Sequence, residues 1–351
     1  MDVGVLSLGD WLADPVSGRA PTEGERHHQI VEQAVVAERA GFSAIHLGEH
    51  HFSDYILTSP PVVLAAIAAR TSTIRLSNGV ALAANLDPVR VAEDYGTVDV
   101  LSRGRLEPCF GRGNIYPDVY TFFGQSPDDA SSRFAENVRL IDTLWRAEEP
   151  VTWQGAHRAA LDDVMVHPRP EQRPRPPIWI GGGFSPDTVQ LAVEIGAGLM
   201  LPTVIGSWEL FTPVVESFVE QWEAAGRDPA DRRIGCCSHF WVGPDGDAAR
   251  RRWRPRYLSY LDAVARWVDQ SQRRAGRGRS AFEVGDFDAL ISTVGICGSV
   301  DEVVERMGAA ADLLRLDTHL LMFDLGGVPD DELFDTIEFT GAAVIPQVES
   351  L

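Results

Sequence analysis

Glu49, His50 and His51 follow directly on an apolar run, Phe42-Ser-Ala-Ile-His-Leu-Gly-Glu-His-His-Phe52, and an imidazole at the end of such a run is placed for proton chemistry. Read as a strand, the run puts Ile45 and Leu47 on one face and His46, Gly48 and His50 on the other. His50 then points out of the strand end as the candidate catalytic residue. His46, deeper in the run, reads as a core histidine bonded to a carboxylate or as a wall of the same pocket. Adjacent strand residues point opposite ways and the spacings His-x-x-x-Glu and His-x-His are absent, so no metal site is expected.

Two further segments carry anion chemistry. In Gly104-Arg-Leu-Glu-Pro-Cys-Phe-Gly-Arg-Gly-Asn114, glycines flank Arg112, so a ligand can approach the backbone closely while the guanidinium forks onto phosphate or carboxylate oxygens. The plainer reading is a surface ion pair. In Ile178-Trp-Ile-Gly-Gly-Gly-Phe-Ser-Pro-Asp-Thr188, a strand runs through three glycines into a helix start, where Gly182, Gly183, Ser185 and Thr188 offer amides and hydroxyls to an anion. An arginine ending one strand and an amide nest ending the next make a phosphate clamp.

These residues need a scaffold that gathers strand ends. Short β-type runs alternate with amphipathic stretches through most of the chain. Strands are expected at Val3–Leu8, Ala44–Leu47, Ile74–Leu82, Arg105–Gly111, Ile178–Gly181, Leu199–Leu201, Ile234–Val242 and His319–Phe323. Helices are expected between them, among them His27–Ala40, Pro88–Leu101, Ser132–Trp145 and Val300–Leu314. No Gly-x-Gly-x-x-Gly follows the first strand, so the pattern fits a single closed (β/α)8 barrel of α/β class, with insertions, better than an open doubly wound sheet. One domain over residues 1–351 is expected, with the arginine-rich Ala248–Ser292 as either a mobile lid or a solvated loop.

Composition narrows the function. A formal net charge of -20 disfavours nucleic acid and anionic membrane surfaces as partners, and no apolar run is long enough to span a bilayer. The N-terminal Met-Asp-Val-Gly-Val-Leu-Ser-Leu has no basic leader, so a cytoplasmic protein is expected. Every side-chain ammonium is missing: all 31 basic residues are arginine, which excludes Schiff-base chemistry and a lysine-bearing phosphate loop. Cys109, Cys236, Cys237 and Cys297 have no zinc spacing and read as free thiols.

The chain resembles bacterial luciferase and the luciferase-like flavin monooxygenases over nearly its whole length. The resemblance rests on Glu49-His-His-Phe52, Asp87-Pro-Val-Arg90 with Ala92-Glu-Asp94, Leu101-Ser-Arg-Gly-Arg105, Arg112-Gly113, and Gly298-Ser299 before the late helix. It implies a (β/α)8 barrel, commonly a homodimer, that uses reduced flavin mononucleotide (FMN) and dioxygen, through a flavin peroxide, to oxidise a small organic substrate. A separate flavin reductase would supply the reduced cofactor. Carried onto this chain, His50 corresponds to the active-site histidine, Arg112 to the phosphate-binding arginine and 182–188 to the phosphate cradle. Gly79-Val80 corresponds to a strand end with a non-proline cis peptide beneath the flavin ring, or else to a plain bulge.

His239, in Cys236-Cys-Ser-His-Phe-Trp241, resembles a second catalytic histidine of alkanesulfonate monooxygenases. Those enzymes carry an arginine where Cys237 stands here, which argues against a sulfonate substrate. Asp87 stands where luciferase has a histidine. Trp11, Tyr55, Tyr116, Trp241, Trp253 and Tyr257 are candidate aromatic walls of the substrate pocket. The alternatives are a deazaflavin-dependent hydride-transfer enzyme, a non-catalytic flavin-binding protein, and an anion-binding barrel of unrelated hydrolytic role.

Overall fold

The strand runs read from the sequence assemble into one parallel sheet that closes on itself. The computed structural model describes residues 1–113, 115–278 and 284–349; Asn114 and Arg279 of the motifs above lie outside them. The strands are β1 (Asp2–Ser7), β2 (Ala44–Leu47), β3 (Arg75–Asn78), β4 (Ala81–Leu82), β5 (Cys109–Gly111), β6 (Val151–Trp153), β7 (Leu161–Val164), β8 (Trp179–Gly181), β9 (Gly198–Leu201), β10 (Ile234–Val242), β11 (Gly295–Gly298) and β12 (Thr318–Met322).

Their order is β3-β2-β1-β12-β10-β9-β8-β5-β4. Its two ends, β3 and β4, are consecutive halves of one strand interrupted at Gly79-Val80, so the path returns to where it began: a (β/α)8 barrel. β1 is buried along all but its first residue, and β2 and β10 along their whole length, as expected for strands covered by helices outside and side chains within. Helices such as Glu23–Arg39, Pro88–Ser102 and Ala130–Arg146 follow the strands; the first is started by Thr22 in a capping box and the second by Asp87, whose carboxylate accepts from the Val89 and Arg90 amides.

Three features depart from the sequence reading. β11 was not anticipated: it pairs with the outer half of β10, from His239 to Val242, beyond the last β9 partner at Cys236 and overlapping the β12 pairing only at His239. An antiparallel hairpin of β6 and β7, which the sequence reading did not include, lies between the helix Ala130–Arg146 and β8. The segment expected as lid or loop, Ala248–Ser292, is in its first half a single helix, Gly246–Arg274, and later contains a short helix, Phe287–Thr293; residues 279–283 lie outside the described ones.

The long helix is capped by Asp245, whose carboxylate accepts from the Ala248 amide, and it buries Trp253, Tyr257, Tyr260 and Trp267. Those aromatics recur on one face, which is why an arginine-rich sequence packs as a helix here. Buried Arg256 anchors it, donating from Nε to Asp14 at 2.9 Å and from Nη1 to Glu332 at 2.7 Å. All four cysteines are free and buried. Among the described residues no helix is long and apolar enough to cross a membrane.

Candidate functional site

A cavity of about 410 Å³ opens at the C-terminal ends of the barrel strands, where the fold collects loops from many strands. Its wall includes His50, Gly79, Val80, Arg112, Gly183, Thr188, Tyr116 and Cys237. The histidine, the interrupted strand, the arginine and the glycine-to-helix turn, which are dispersed in sequence, therefore meet around one space.

His50 sits just beyond β2, which ends at Leu47, so the strand alternation that placed it does not extend that far. Its position comes instead from its own amide, which donates to the Leu57 carbonyl at 3.0 Å, and from Tyr55, on which its ring stacks at 4.2 Å. Burial, assisted by the neighbouring His51, pushes its pKa down to about 3. Nδ1 is buried and has no partner among the described residues. His50 is thus a neutral imidazole with a nitrogen to spare.

Glu49 ties this strand end to the next. Its amide donates to the Val80 carbonyl at 3.2 Å, its Oε2 accepts from the Leu82 amide at 2.9 Å, and its Oε1 lies 2.8 Å from His51 Nε2. Both carboxylate oxygens are engaged, so Glu49 positions β3–β4 rather than offering a free base. The Gly79-Val80 peptide it holds is cis, as the resemblance implied. The Val80 side chain projects between β5 and β8, where a Cβ at Gly181 would come within 2.7 Å of it and one at Gly111 would also collide. Glycine at these strand ends is what lets Val80 form the floor.

Arg112 lies at the other end of the space. Its Nη1 donates to Ser131 Oγ at 3.2 Å, its carbonyl accepts from the Tyr120 hydroxyl, and among the described residues no carboxylate pairs with it. The surface ion pair considered from sequence is therefore absent among the described residues. Facing the same cavity, Gly183 and Thr188 belong to the turn into the helix Pro186–Ile195. Ser185 is the N-cap of that helix and makes no side-chain capping bond; Pro186 has no N–H and the Thr188 amide donates to the Ser185 carbonyl at 3.1 Å, so an anion here would be met by the Asp187 amide and the Ser185 and Thr188 hydroxyls. Gly182 is turned away, its Cα packed toward Leu199 and its amide donating to the Met200 carbonyl at 2.9 Å.

The other expected residues, Tyr116 excepted, are placed elsewhere. His46 is buried beneath Gly79, with a pKa pushed down to about 3 by burial and by Arg75. Tyr55 backs His50 without lining the cavity, and Tyr116 does line it. His239 is enclosed behind the wall, its Nδ1 2.9 Å from the Tyr257 hydroxyl. Trp241 lies on the stretch of β10 carried outward by β11 and lines a separate cavity beside Glu332 and Phe339. Trp11 is held by its loop, Nε1 donating to the Pro21 carbonyl at 2.6 Å. Trp253 stacks on Tyr257 at 4.1 Å in the core of the long helix. Glu49 and Phe184 were missed as site residues; Glu49 adjoins His50, and its sequence gave no sign that its partner would be a backbone amide 33 residues away.

A family model, luciferase-like monooxygenase, matches residues 1–316. The chain belongs to that family. In structure it is similar to the monooxygenase RslO1 from Streptomyces bottropensis, with a TM-score of 0.86, 26% identity and 99% of each chain covered. In sequence it is 28% identical to the oxygenase component of a flavin-dependent trigonelline monooxygenase from Acinetobacter baylyi, over 54% of this chain and 52% of that one. It is also 28% identical to an F420-dependent glucose-6-phosphate dehydrogenase from Microbacterium testaceum, over 94% of this chain and 96% of that one. The family is one of oxidoreductases, and both flavin and deazaflavin (F420) cofactors occur among the chain's relatives.

The residues fit a phosphate-ended ring cofactor. A guanidinium with no carboxylate partner among the described residues and a helix start without a side-chain cap suit the phosphate, and an apolar space floored by Val80 and flanked by His50 suits a flat ring.

Proposed function

We propose that this family member is an FMN-dependent monooxygenase that takes reduced flavin from a separate reductase and oxidises a small organic substrate with dioxygen. The observation that carries the reading is the meeting of Arg112, the start of the helix Pro186–Ile195 and a neutral His50 around one cavity. Arg112, Gly183, Ser185 and Thr188 would hold the phosphate, and Gly79-Val80 would support the ring. Reduced FMN supplies the electrons that activate dioxygen. The chain's own part is to exclude water from the cavity and to accept or return a proton at His50. Tyr116, edge-on to His50 at 5.5 Å, closes that side with an aromatic ring.

The test is anaerobic titration with reduced FMN, then oxygen uptake with a panel of substrates. Saturable binding and substrate-dependent oxygen consumption are expected. A chain with no affinity for flavin overturns the reading. A second reading, deazaflavin-dependent hydride transfer, is supported by the dehydrogenase relative that covers 94% of this chain, and turnover confined to deazaflavin selects it. A homodimer is also proposed: Val62 and Leu101, on the neighbouring helices Pro60–Ala68 and Pro88–Ser102, are 68% and 57% exposed and would be covered by a second copy. Sedimentation of the purified chain tests it, and the proposed cytoplasmic location would let a reductase deliver flavin by diffusion.

A further inference from the structure

Placing one atom of dioxygen on a substrate and releasing the other as water takes two electrons, from reduced flavin, and two protons. The cavity wall has no ready store of them. His50, its pKa pushed down to about 3, passes a proton on without keeping one. Glu49 has both oxygens bonded, and burial lifts the Cys237 thiol to about 11, so it holds its proton too tightly to give it.

Behind His50 a line of hydroxyls leads out of the cavity. Tyr116 lines the cavity edge-on to His50, and its hydroxyl interacts with that of Tyr55, the two rings standing 6.4 Å apart at 71°. The Tyr55 hydroxyl lies 3.1 Å from that of Tyr260. Tyr55 is also bridged in antiparallel fashion to Asp10, with the Trp11 amide donating to the Asp54 carbonyl on one side and the Ile56 amide to the Gly9 carbonyl on the other. Residues opposite each other in such a bridge put their side chains on one face, with Cβ atoms about 5 Å apart. Asp10 thus stands beside the tyrosine pair, and its charge bears on both Tyr55 and Tyr260.

The surroundings of Asp10 favour its acid form. It is buried, and it faces Arg26 from the helix Glu23–Arg39, Asp324 from beyond β12, the Gly326 amide and the two tyrosines. Asp10 Oδ1 and Asp324 Oδ1 are each buried with no hydrogen-bond partner among the described residues. Two carboxylates with an orphan oxygen apiece, sharing one guanidinium, are a setting in which a proton is kept. On the far side Asp324 and Arg26 line another cavity of about 410 Å³, with Gln29, Asp330 and exposed His28 in its wall. The polar line therefore runs from the barrel mouth to a second cavity that reaches the surface of the helix layer.

We propose that Asp10 is the proton reserve of the barrel-mouth cavity, joined to it through Tyr260, Tyr55 and Tyr116 and refilled from the second cavity by way of Asp324. Burial holds all three phenols far from ionising, so none of them carries the charge. Each oxygen takes a proton as it gives up its own. Asp10 loses one proton and is left as a carboxylate facing Arg26, every phenol keeps its count, and the cavity gains one proton. The proposal rests on the oxygenase reading for the demand for protons, whereas the line of groups stands without it.

Infrared spectra of the chain alone give the first test. A carboxylic-acid carbonyl band is expected at pH 5.5, lost with a midpoint at about 7 and missing in Asp10→Asn. Tyr260→Phe keeps the ring and removes the hydroxyl, and it is expected to shift that band. Stopped-flow reoxidation of bound reduced FMN by dioxygen gives the second test. Asp10→Asn and Tyr260→Phe are each expected to slow it by at least about tenfold, and the double variant by no more than either alone, because one line is cut twice. A wild type without the titrating band, a band unmoved by Tyr260→Phe, or reoxidation that either variant leaves unchanged overturns the proposal. Failure of the cofactor reading is distinct: FMN then does not bind, and the infrared comparison still decides whether Asp10 holds a proton in contact with Tyr260.

Discussion

His50 lies flat on Tyr55, with ring centroids 4.2 Å apart and planes inclined by 27°. Tyr55 is fixed in turn by a 3.1 Å contact between its hydroxyl and that of Tyr260, and by Trp267 tilted against it at 4.6 Å. Tyr260 and Trp267 both belong to the helix Gly246–Arg274. The helix therefore acts as the back support of the candidate catalytic imidazole, holding it buried and neutral.

Replacing His50 follows from this. In His50→Ala, FMN affinity should change by less than about threefold, since the phosphate end is untouched, while kcat falls by about 10²–10⁴. Because the folded pKa is pushed down to about 3, wild-type activity should show no limb near pH 6.5 that His50 could cause. A rate profile from pH 5.5 to 8.5 checks this; a limb near 6.5 that vanishes in His50→Ala would contradict the neutral imidazole.

Arg112 separates phosphate from ring. Arg112→Ala should weaken FMN by about 10–100-fold, the scale of one charge-assisted contact, and leave riboflavin, which has no phosphate, nearly unaffected. Fluorescence titrations with the two flavins give the comparison. Equal losses for both would mean that Arg112 shapes the cavity rather than holding an anion.

Local patterns made much of this legible. Short apolar runs marked β1, β2 and β10, and turn chemistry marked the Gly181–Thr188 loop, because both signals arise from neighbours in the chain. What escaped depended on distant partners. β11 is four residues long and exists because the end of β10 offers an open edge. The same pairing carries Trp241 away from the cavity it was expected to line, to a place beside Glu332 and Phe339. The helix Gly246–Arg274 was obscured by an internal Pro255 and by arginines, among them Arg256, whose two carboxylate partners lie 242 and 76 residues away.

Buried histidines should make the fold acid-sensitive. Burial pushes His46, His50 and His239 down to about 3, and His319 to about 4. Below pH 6.5 the unfolded chain takes up protons that the folded chain refuses, so these groups lower stability as pH falls. Each costs about 2 kcal/mol between pH 6.5 and 5 if the other groups are unchanged. His319→Gln can keep a bond to Ser238 Oγ, 2.9 Å from Nε2, without titrating. Its loss of stability from pH 7 to 5, measured by urea unfolding, should be smaller than wild type by about that amount; an identical slope would show that His319 does not contribute.

Asp10 predicts the opposite dependence. It is buried beside Asp324, and both carboxylates face Arg26, whose Nη2 lies 3.5 Å from Asp10 Oδ1 and 2.6 Å from Asp324 Oδ2. Ser7 already donates to Asp324 at 2.5 Å, the Gly326 amide to Asp10 Oδ2 at 3.0 Å, and Asp10 Oδ1 has no hydrogen-bond partner. Burial pushes the Asp10 pKa up to about 7; Arg26 opposes the shift and Asp324 adds to it. One guanidinium between two carboxylates leaves a negative charge that a proton removes. Since the folded pKa is raised, the contribution is fully present below about pH 4 and is lost as pH rises through 7. Asp10→Asn keeps an oxygen for Gly326 and abolishes the titration. Relative to wild type, the variant should therefore gain stability between pH 5 and 8, on the order of 1–3 kcal/mol. Urea unfolding at those two pH values decides it: a difference between variant and wild type that does not change with pH would mean that Asp10 is ionised in the fold throughout, paired with Arg26 alone.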